Sequence, residues 1–189
     1  MNIISGKARR ILLTVPKGLG VRPTSVRARK ALFDSLGDFS GAHVADLFAG
    51  CGGLGLEAAS RGAEKVVLVE NNRSHCKAIE DNIAKISKAG VGSEIILVSG
   101  DAMSGTFRLK MPEPDIIFAD PPYPISADCF ERMMNDERFL NWAKGAYLVW
   151  EIPSEAGILG KFMNNPALDS QIKKFGKTQF LVAVVKDGE

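Results

Sequence analysis

The chain has 189 residues, of which 46% are hydrophobic and 24% charged, which excludes a disordered chain and suits one domain able to bury a core. No apolar run reaches the roughly 18 residues that a bilayer demands, and the N-terminus has no apolar leader, so neither a membrane span nor a signal peptide is expected and the cytoplasm is the expected location. Cys51, Cys76 and Cys129 are odd in number and far apart, which fits neither a disulfide framework nor a zinc quartet.

The net charge of +2 conceals an asymmetry. Residues 1–33 carry Lys7, Arg9, Arg10, Lys17, Arg22, Arg27, Arg29 and Lys30 and no acid, a charge of +8; the remainder has sixteen bases against twenty-two acids, a charge of −6. A basic arm on a mildly acidic body fits a polyanionic partner. A solvated charged face and an Arg-rich transit peptide are the other readings, although Ser5 and Ser25 are few serines for the latter.

Asn2–Ile4 and Ile11–Val15 alternate around Gly6 and predict a small hairpin. A loop runs from Pro16 to Pro23. Thr24 is the expected cap of a helix to Leu36, with Ala28, Leu32, Phe33 and Leu36 on its inner face, Arg27 and Lys30 outside, and Gly37 as its stop. From residue 43 short apolar runs alternate with helical stretches. The runs are Val44–Ala49, Val66–Glu70, Ile95–Ser99, Asp115–Ala119 and Ala146–Trp150; the helices cover about 54–61, 73–88 and 126–142. Continuous apolar strands interleaved with helices predict βαβ units and a mostly parallel sheet. Gln171–Phe175, a Gly176 turn and Phe180–Val185 predict a terminal antiparallel hairpin.

The first strand leads into Asp46-Leu47-Phe48-Ala49-Gly50-Cys51-Gly52-Gly53-Leu54-Gly55. Gly50, Gly52 and Gly55 satisfy G-x-G-x-x-G between a strand and a helix, where backbone must turn tightly and touch a ligand. Glu70 ends the next strand, 20 residues after Gly50, where a carboxylate can accept ribose hydroxyls. This much fits NAD and S-adenosylmethionine equally. Asp46 lies inside the strand, where a dinucleotide fold keeps an apolar residue, and can face an ammonium group; Asp101 follows the third strand and can meet an adenine amine. Each acid alone could be a turn residue or helix cap, but strand ends converge on one crevice.

The fourth strand ends in Asp120-Pro121-Pro122-Tyr123. Two prolines stop the strand and leave a stiff turn whose carbonyls can accept hydrogen bonds. An acid, rigid carbonyls and an aromatic ring beside a cofactor pocket suit methyl transfer to an exocyclic amine. Asp120 and the Pro121 carbonyl can accept its two N–H groups, while Tyr123 stacks on a base that is single-stranded or flipped out. No metal is required, and His43 and His75 stand apart as structural residues.

These residues resemble the RsmD family, bacterial small-subunit rRNA guanine-N2 methyltransferases. The likeness runs through Ile4-Ser5-Gly6, Arg22-Pro23-Thr24 with Arg27, Ala31-Leu32-Phe33, the glycine loop, Leu54-Gly55-Leu56-Glu57-Ala58, Ser60-Arg61-Gly62-Ala63, Glu70, Asp101-Ala102 and the Asp-Pro-Pro-Tyr. Arg9-Arg10-Ile11 stands where the family has Arg-Gly-Arg, Val26 where it has Asp, Lys30 where it has Glu, Cys51 where it has Ser, and Phe175-Gly176-Lys177-Thr178 where it has Tyr-Gly-Asp-Thr. The acids and the tetrapeptide are untouched.

The resemblance implies an α/β, Rossmann-like class I S-adenosylmethionine-dependent methyltransferase fold. Its seven-stranded, mostly parallel sheet would carry a C-terminal antiparallel hairpin and a small N-terminal β-hairpin and helix extension, in a single domain over 1–189 (extension 1–37, catalytic core 43–189). It places Asp46, Phe48, Gly50, Gly52, Glu70, Asn71, Asp101 and Ala102 around S-adenosylmethionine, and Asp120, Pro121, Pro122 and Tyr123 at the target base. It gives RNA to Arg9, Arg10, Arg22, Thr24 and Arg27. The implied partner is small-subunit rRNA or the assembling small subunit, with no metal and no membrane. The alternatives are a DNA adenine-N6 or other nucleic-acid amino-methyltransferase, an NAD-dependent oxidoreductase, and an RNA-binding module on a methyltransferase scaffold.

Overall fold

In a computed structural model the described residues are 1–16, 25–111, 113–153 and 158–187. The order is α1 (Val26–Leu36), β1 (His43–Leu47), α2 (Gly53–Ser60), β2 (Lys65–Glu70), α3 (Arg73–Lys88), β3 (Glu94–Ser99), β4 (Ile116–Ala119), α4 (Tyr123–Met134), α5 (Glu137–Trp142), β5 (Tyr147–Ile152), β6 (Leu168–Phe175) and β7 (Thr178–Val185).

The seven strands form one sheet in the order β3-β2-β1-β4-β5-β7-β6. β1 to β5 pair in parallel, and β7 runs antiparallel to both β5 and β6. Strands buried on both faces need helices on both faces, and the core accordingly divides in two. One cluster joins Val67, Ile117, Leu148 and Trp150 to Phe130 and Phe162; the other joins Val66, Phe118 and Val182 to Phe33 and Leu56. Strand order reverses between β1 and β4, and open α/β sheets bind ligands at the strand ends beside such a reversal.

The sequence expectation of one helix over 126–142 is corrected: the chain breaks at Asn135 and Asp136, whose carboxylate caps α5 through the Arg138 N–H and pairs with Arg108. The apolar spacing continues through the break, so periodicity alone does not reveal it. The expected N-terminal hairpin is present but short: it has one antiparallel bridge, Asn2 with Leu12, and the Ile3, Arg10 and Leu13 N–H groups donate across it to the Ile11, Ile3 and Met1 carbonyls at 3.0, 2.9 and 2.8 Å. Hydrogen bonds to α2 hold that segment as well. Buried Glu57 on α2 accepts the N–H groups of Ile4 and Ser5 at 2.7 and 3.0 Å, and the Ser60 hydroxyl oxygen accepts the Ala8 N–H at 2.9 Å. Gly6 must be glycine there, with φ +76° and an added Cβ 1.7 Å from the Ser60 carbonyl oxygen. The expected cap Thr24 lies outside the described residues; Ser25 caps α1 through the Ala28 N–H.

Candidate active site

β1 and β4 deliver the two halves of the site. After Leu47 the chain turns at Phe48, whose φ of +64° is left-handed. A bulky residue holds such a conformation only where its surroundings over-determine it. The loop supplies that constraint: the Ala49 N–H donates to the Val69 carbonyl at 2.9 Å and the Gly52 N–H to the Ala49 carbonyl at 2.7 Å. Gly52 shapes this turn from behind, where an added Cβ would meet Leu56 at 2.9 Å, and it is not among the residues that line the two cavities described below.

The loop amides organise the acids. Asp46 is buried and accepts the Gly55 N–H at 2.8 Å. Glu70, also buried, accepts the Gly50 and Asn72 N–H groups, each at 2.8 Å. Asp101 is exposed and caps a short turn through the Met103 N–H at 2.8 Å. All three therefore have the capping role open to them in the sequence, and all three also border a cavity.

The larger cavity, about 880 Å³, is lined by Phe48, Glu70, Asn71, Asp101, Ala102, Asp120, Tyr123 and Glu151 among others. Its volume lies within the range of ligand pockets. A smaller one of about 100 Å³ is bounded by Arg29, Asp46, Gly50, Gly53 and Leu54. Phe48, Gly50, His75 and Asp120 border both. The His75 Nδ1 lies 3.5 Å from Glu70.

Asp120 leaves β4 where Ala119 pairs with Trp150, so the next residues on the two strands, Asp120 and Glu151, emerge side by side. Tyr123 opens α4, which is fixed to β5 by the buried Trp150 indole N–H donating to Ser126 at 2.9 Å. The Tyr123 hydroxyl donates to Glu151 at 3.1 Å. The Pro122 carbonyl is taken by the Ile125 N–H at 3.0 Å; the Pro121 carbonyl accepts no such bond among the described residues.

Burial pushes the Asp46 carboxyl up to about 7, the Gly55 N–H drawing it back and Glu70 adding to the rise. Burial, then the negative charges of Glu151 and Asp46, raises Asp120 well above the usual carboxylate range. Desolvated acids of one sign favour a ligand that brings positive charge.

Arg9, Arg10 and Arg27 are exposed, as a phosphate contact requires; Arg22 and Thr24 lie outside the described residues. Glu151 and Arg29 are two charged cavity residues beyond those expected from the sequence. Glu151 is an acid at the end of a strand, the same signal that marks Glu70. Arg29 shares the α1 face of Leu32, Phe33 and Leu36 by its spacing, and it is buried there.

A sheet of this order with its cavity at the reversal defines a class I methyltransferase fold. The solved precorrin-6y C5,15-methyltransferase of Geobacter metallireducens shares it, with a TM-score of 0.67 at 15% identity over 93% of this chain and 94% of that one. A family profile described as Conserved hypothetical protein 95 matches residues 1–184, and the chain belongs to this family, the RsmD family. The solved yhhF protein of Escherichia coli is 30% identical, with a TM-score of 0.76 over 100% of this chain and 99% of that one. The curated "Ribosomal RNA small subunit methyltransferase D" of Escherichia coli K12 is 39% identical over 65% of this chain, and the matched segment spans 60% of that relative's length. The corresponding Haemophilus influenzae protein is 32% identical over 65% of this chain and 64% of its own length.

Proposed function

We propose that this chain is an S-adenosylmethionine-dependent methyltransferase acting on the N2 amine of a guanine in small-subunit rRNA. The observation that carries the reading is the Asp120-Pro121-Pro122-Tyr123 turn, which opens into the same cavity as Phe48, Glu70 and Asp101. The donor set fits the cofactor. S-adenosylmethionine brings an ammonium and a sulfonium, which suit walls bearing Asp46, Glu70, Asp120 and Glu151; the pyrophosphate of NAD would be repelled by them.

When bound, the cofactor supplies an electrophilic methyl group. Asp46 would face its ammonium, Glu70 the ribose and Asp101 the adenine. The protein must then strengthen a poor nucleophile, because the lone pair of a base amine is spread into the ring. The Asp120 carboxylate accepts one amine N–H and the Pro121 carbonyl the other, which localises the lone pair and aims it. Tyr123 stacks on the base, and Glu151 holds the ring through its hydroxyl. Asp120 is also the nearest acceptor for the proton that the alkylated nitrogen sheds.

Glu151 favours guanine over adenine. Guanine presents an N1–H next to its amine, which a carboxylate beside Asp120 can accept; adenine presents a lone pair there. The names of the ribosomal RNA methyltransferase relatives, carried over to this chain, point to rRNA, and the exposed basic residues suit a phosphate backbone.

Tritiated S-adenosylmethionine offered with small-subunit particles, naked rRNA and duplex DNA tests the reading. N2-methylguanosine in digests of the ribosomal substrates is expected. N6-methyladenine in the DNA, or no transfer to any of the three, would defeat it.

A further inference from the structure

We infer that Arg29 is the clamp for the carboxylate of the cofactor's methionine moiety, with Asp46 in the same cavity taking its ammonium. This rests on the proposed use of S-adenosylmethionine and goes beyond it by assigning a residue of the basic arm to the cofactor rather than to RNA.

Arg29 is 1% exposed. A guanidinium held that far from water requires an anion or a full set of acceptors. It has neither among the described residues. One terminal nitrogen donates to the Asn2 carbonyl, Nε has no partner, and no carboxylate stands within ion-pair distance. The nearby acid, Glu57, is committed to Ile4, Ser5 and Arg61.

The position fits the missing anion. Arg29 borders the smaller cavity with Asp46, Gly50 and Leu54, and this cavity shares Phe48, Gly50, His75 and Asp120 with the larger one. One guanidinium nitrogen lies 3.4 Å from where a Cβ on Gly53 would sit, over the first residue of α2. The amide end of that helix carries partial positive charge. A buried cation, a helix N-terminus and the Asp46 carboxylate, which accepts the Gly55 N–H at 2.8 Å, thus border one cavity. An α-amino acid carries a carboxylate and an ammonium on one carbon, and this pairing matches both. An RNA phosphate cannot use Arg29, because the side chain is sealed from the outer surface.

Calorimetry on the full chain tests the clamp with four probes: S-adenosylmethionine, its decarboxylated form (which keeps the ammonium), S-adenosylhomocysteine, and 5′-methylthioadenosine, which has no amino-acid part. In the unaltered protein the decarboxylated cofactor should bind about ten- to a hundredfold more weakly than S-adenosylmethionine, as loss of a charge-assisted hydrogen bond implies. Arg29→Met should weaken S-adenosylmethionine and S-adenosylhomocysteine by a similar factor, erase the preference for the carboxylated cofactor, and leave 5′-methylthioadenosine unchanged. If Arg29→Met fails to fold, the comparison in the unaltered protein decides alone. Equal binding of the carboxylated and decarboxylated forms there overturns the clamp, as does a variant that weakens 5′-methylthioadenosine as much as the others, the sign of a merely structural role. Failure of all four probes to bind the unaltered protein overturns the cofactor reading itself, and the clamp with it.

Discussion

Asp120 separates two contributions that are usually lost together. Asp120→Ala removes the acceptor and should cut single-turnover methyl transfer about a hundredfold or more, with cofactor affinity little changed. Asp120→Asn keeps an amide oxygen that can accept one amine N–H. Because burial and Glu151 hold Asp120 protonated above the usual carboxylate range, transfer by the unaltered enzyme should rise along an acidic limb that Asp120→Asn lacks. A pH–rate profile in which both proteins keep the same limb would remove Asp120 from the proton inventory. Asp46 makes a stability prediction. Its rise from 3.8 to about 7 means that the folded chain ionises this group later than the unfolded one. Stability is therefore undiminished below 3.8 and is lost as pH climbs towards 7, by a sum on the order of 4 kcal/mol. Melting curves of Asp46→Asn and the unaltered protein should diverge across that interval and run parallel above it; a constant gap from pH 4 to 8 contradicts the burial argument.

Among the elements, α2 has the most to hold. Its first turn meets the glycine loop and its last turn receives the N-terminal segment through Glu57 and Ser60. Glu57→Ala strands the Ile4 and Ser5 amides and leaves the Arg61 guanidinium with Asp34 as its remaining carboxylate, and should cost about 3 kcal/mol or more. Hydrogen exchange should place the loss in residues 3–13, with β1 and β4 amides still protected; uniform loss across the sheet would mean that the segment is not a separate unit. The elements were readable in the sequence to the degree that burial is two-sided. Val66–Glu70 and Ile95–Ser99 are continuous apolar runs and appear as strands within a residue of those bounds. The α4–α5 break was not readable, because Phe130, Met133, Met134 and Phe139 keep an apolar rhythm across a cap that one carboxylate imposes. The N-terminal hairpin reads as strand by alternation, and its arms do exchange backbone bonds, Ile3 with Ile11 and Leu13 with Met1, but the pairing is too short for a ladder and α2 takes the Ile4, Ser5 and Ala8 amides.

At the scale of the whole molecule, charge divides the labour. Replacing Arg9, Arg10 and Arg27 by Ala should weaken binding of small-subunit rRNA and reduce the steepness of log affinity against log salt by about 0.7–0.9 for each phosphate no longer neutralised. Filter binding between low and physiological salt measures it, and an unchanged slope would move the RNA elsewhere. The glycine loop, the three strand-end acids and the tetrapeptide were legible because each sits at a strand terminus and the topology gathers those termini. Glu151 carries the same positional signal and Arg29 only a helical spacing with Leu32 and Phe33, but an acid beyond an apolar run and a base among basic neighbours draw no notice until burial is known. The arm also reaches inward: Met1, Val15 and Pro16 border the small cavity, while Arg9 and Arg10 on the same segment face solvent. A polymer gripping the outside of that segment thus handles a wall of the inner compartment. By thermodynamic reciprocity, any tightening of the nucleoside donor on RNA engagement must be matched by an equal tightening of RNA on a loaded enzyme.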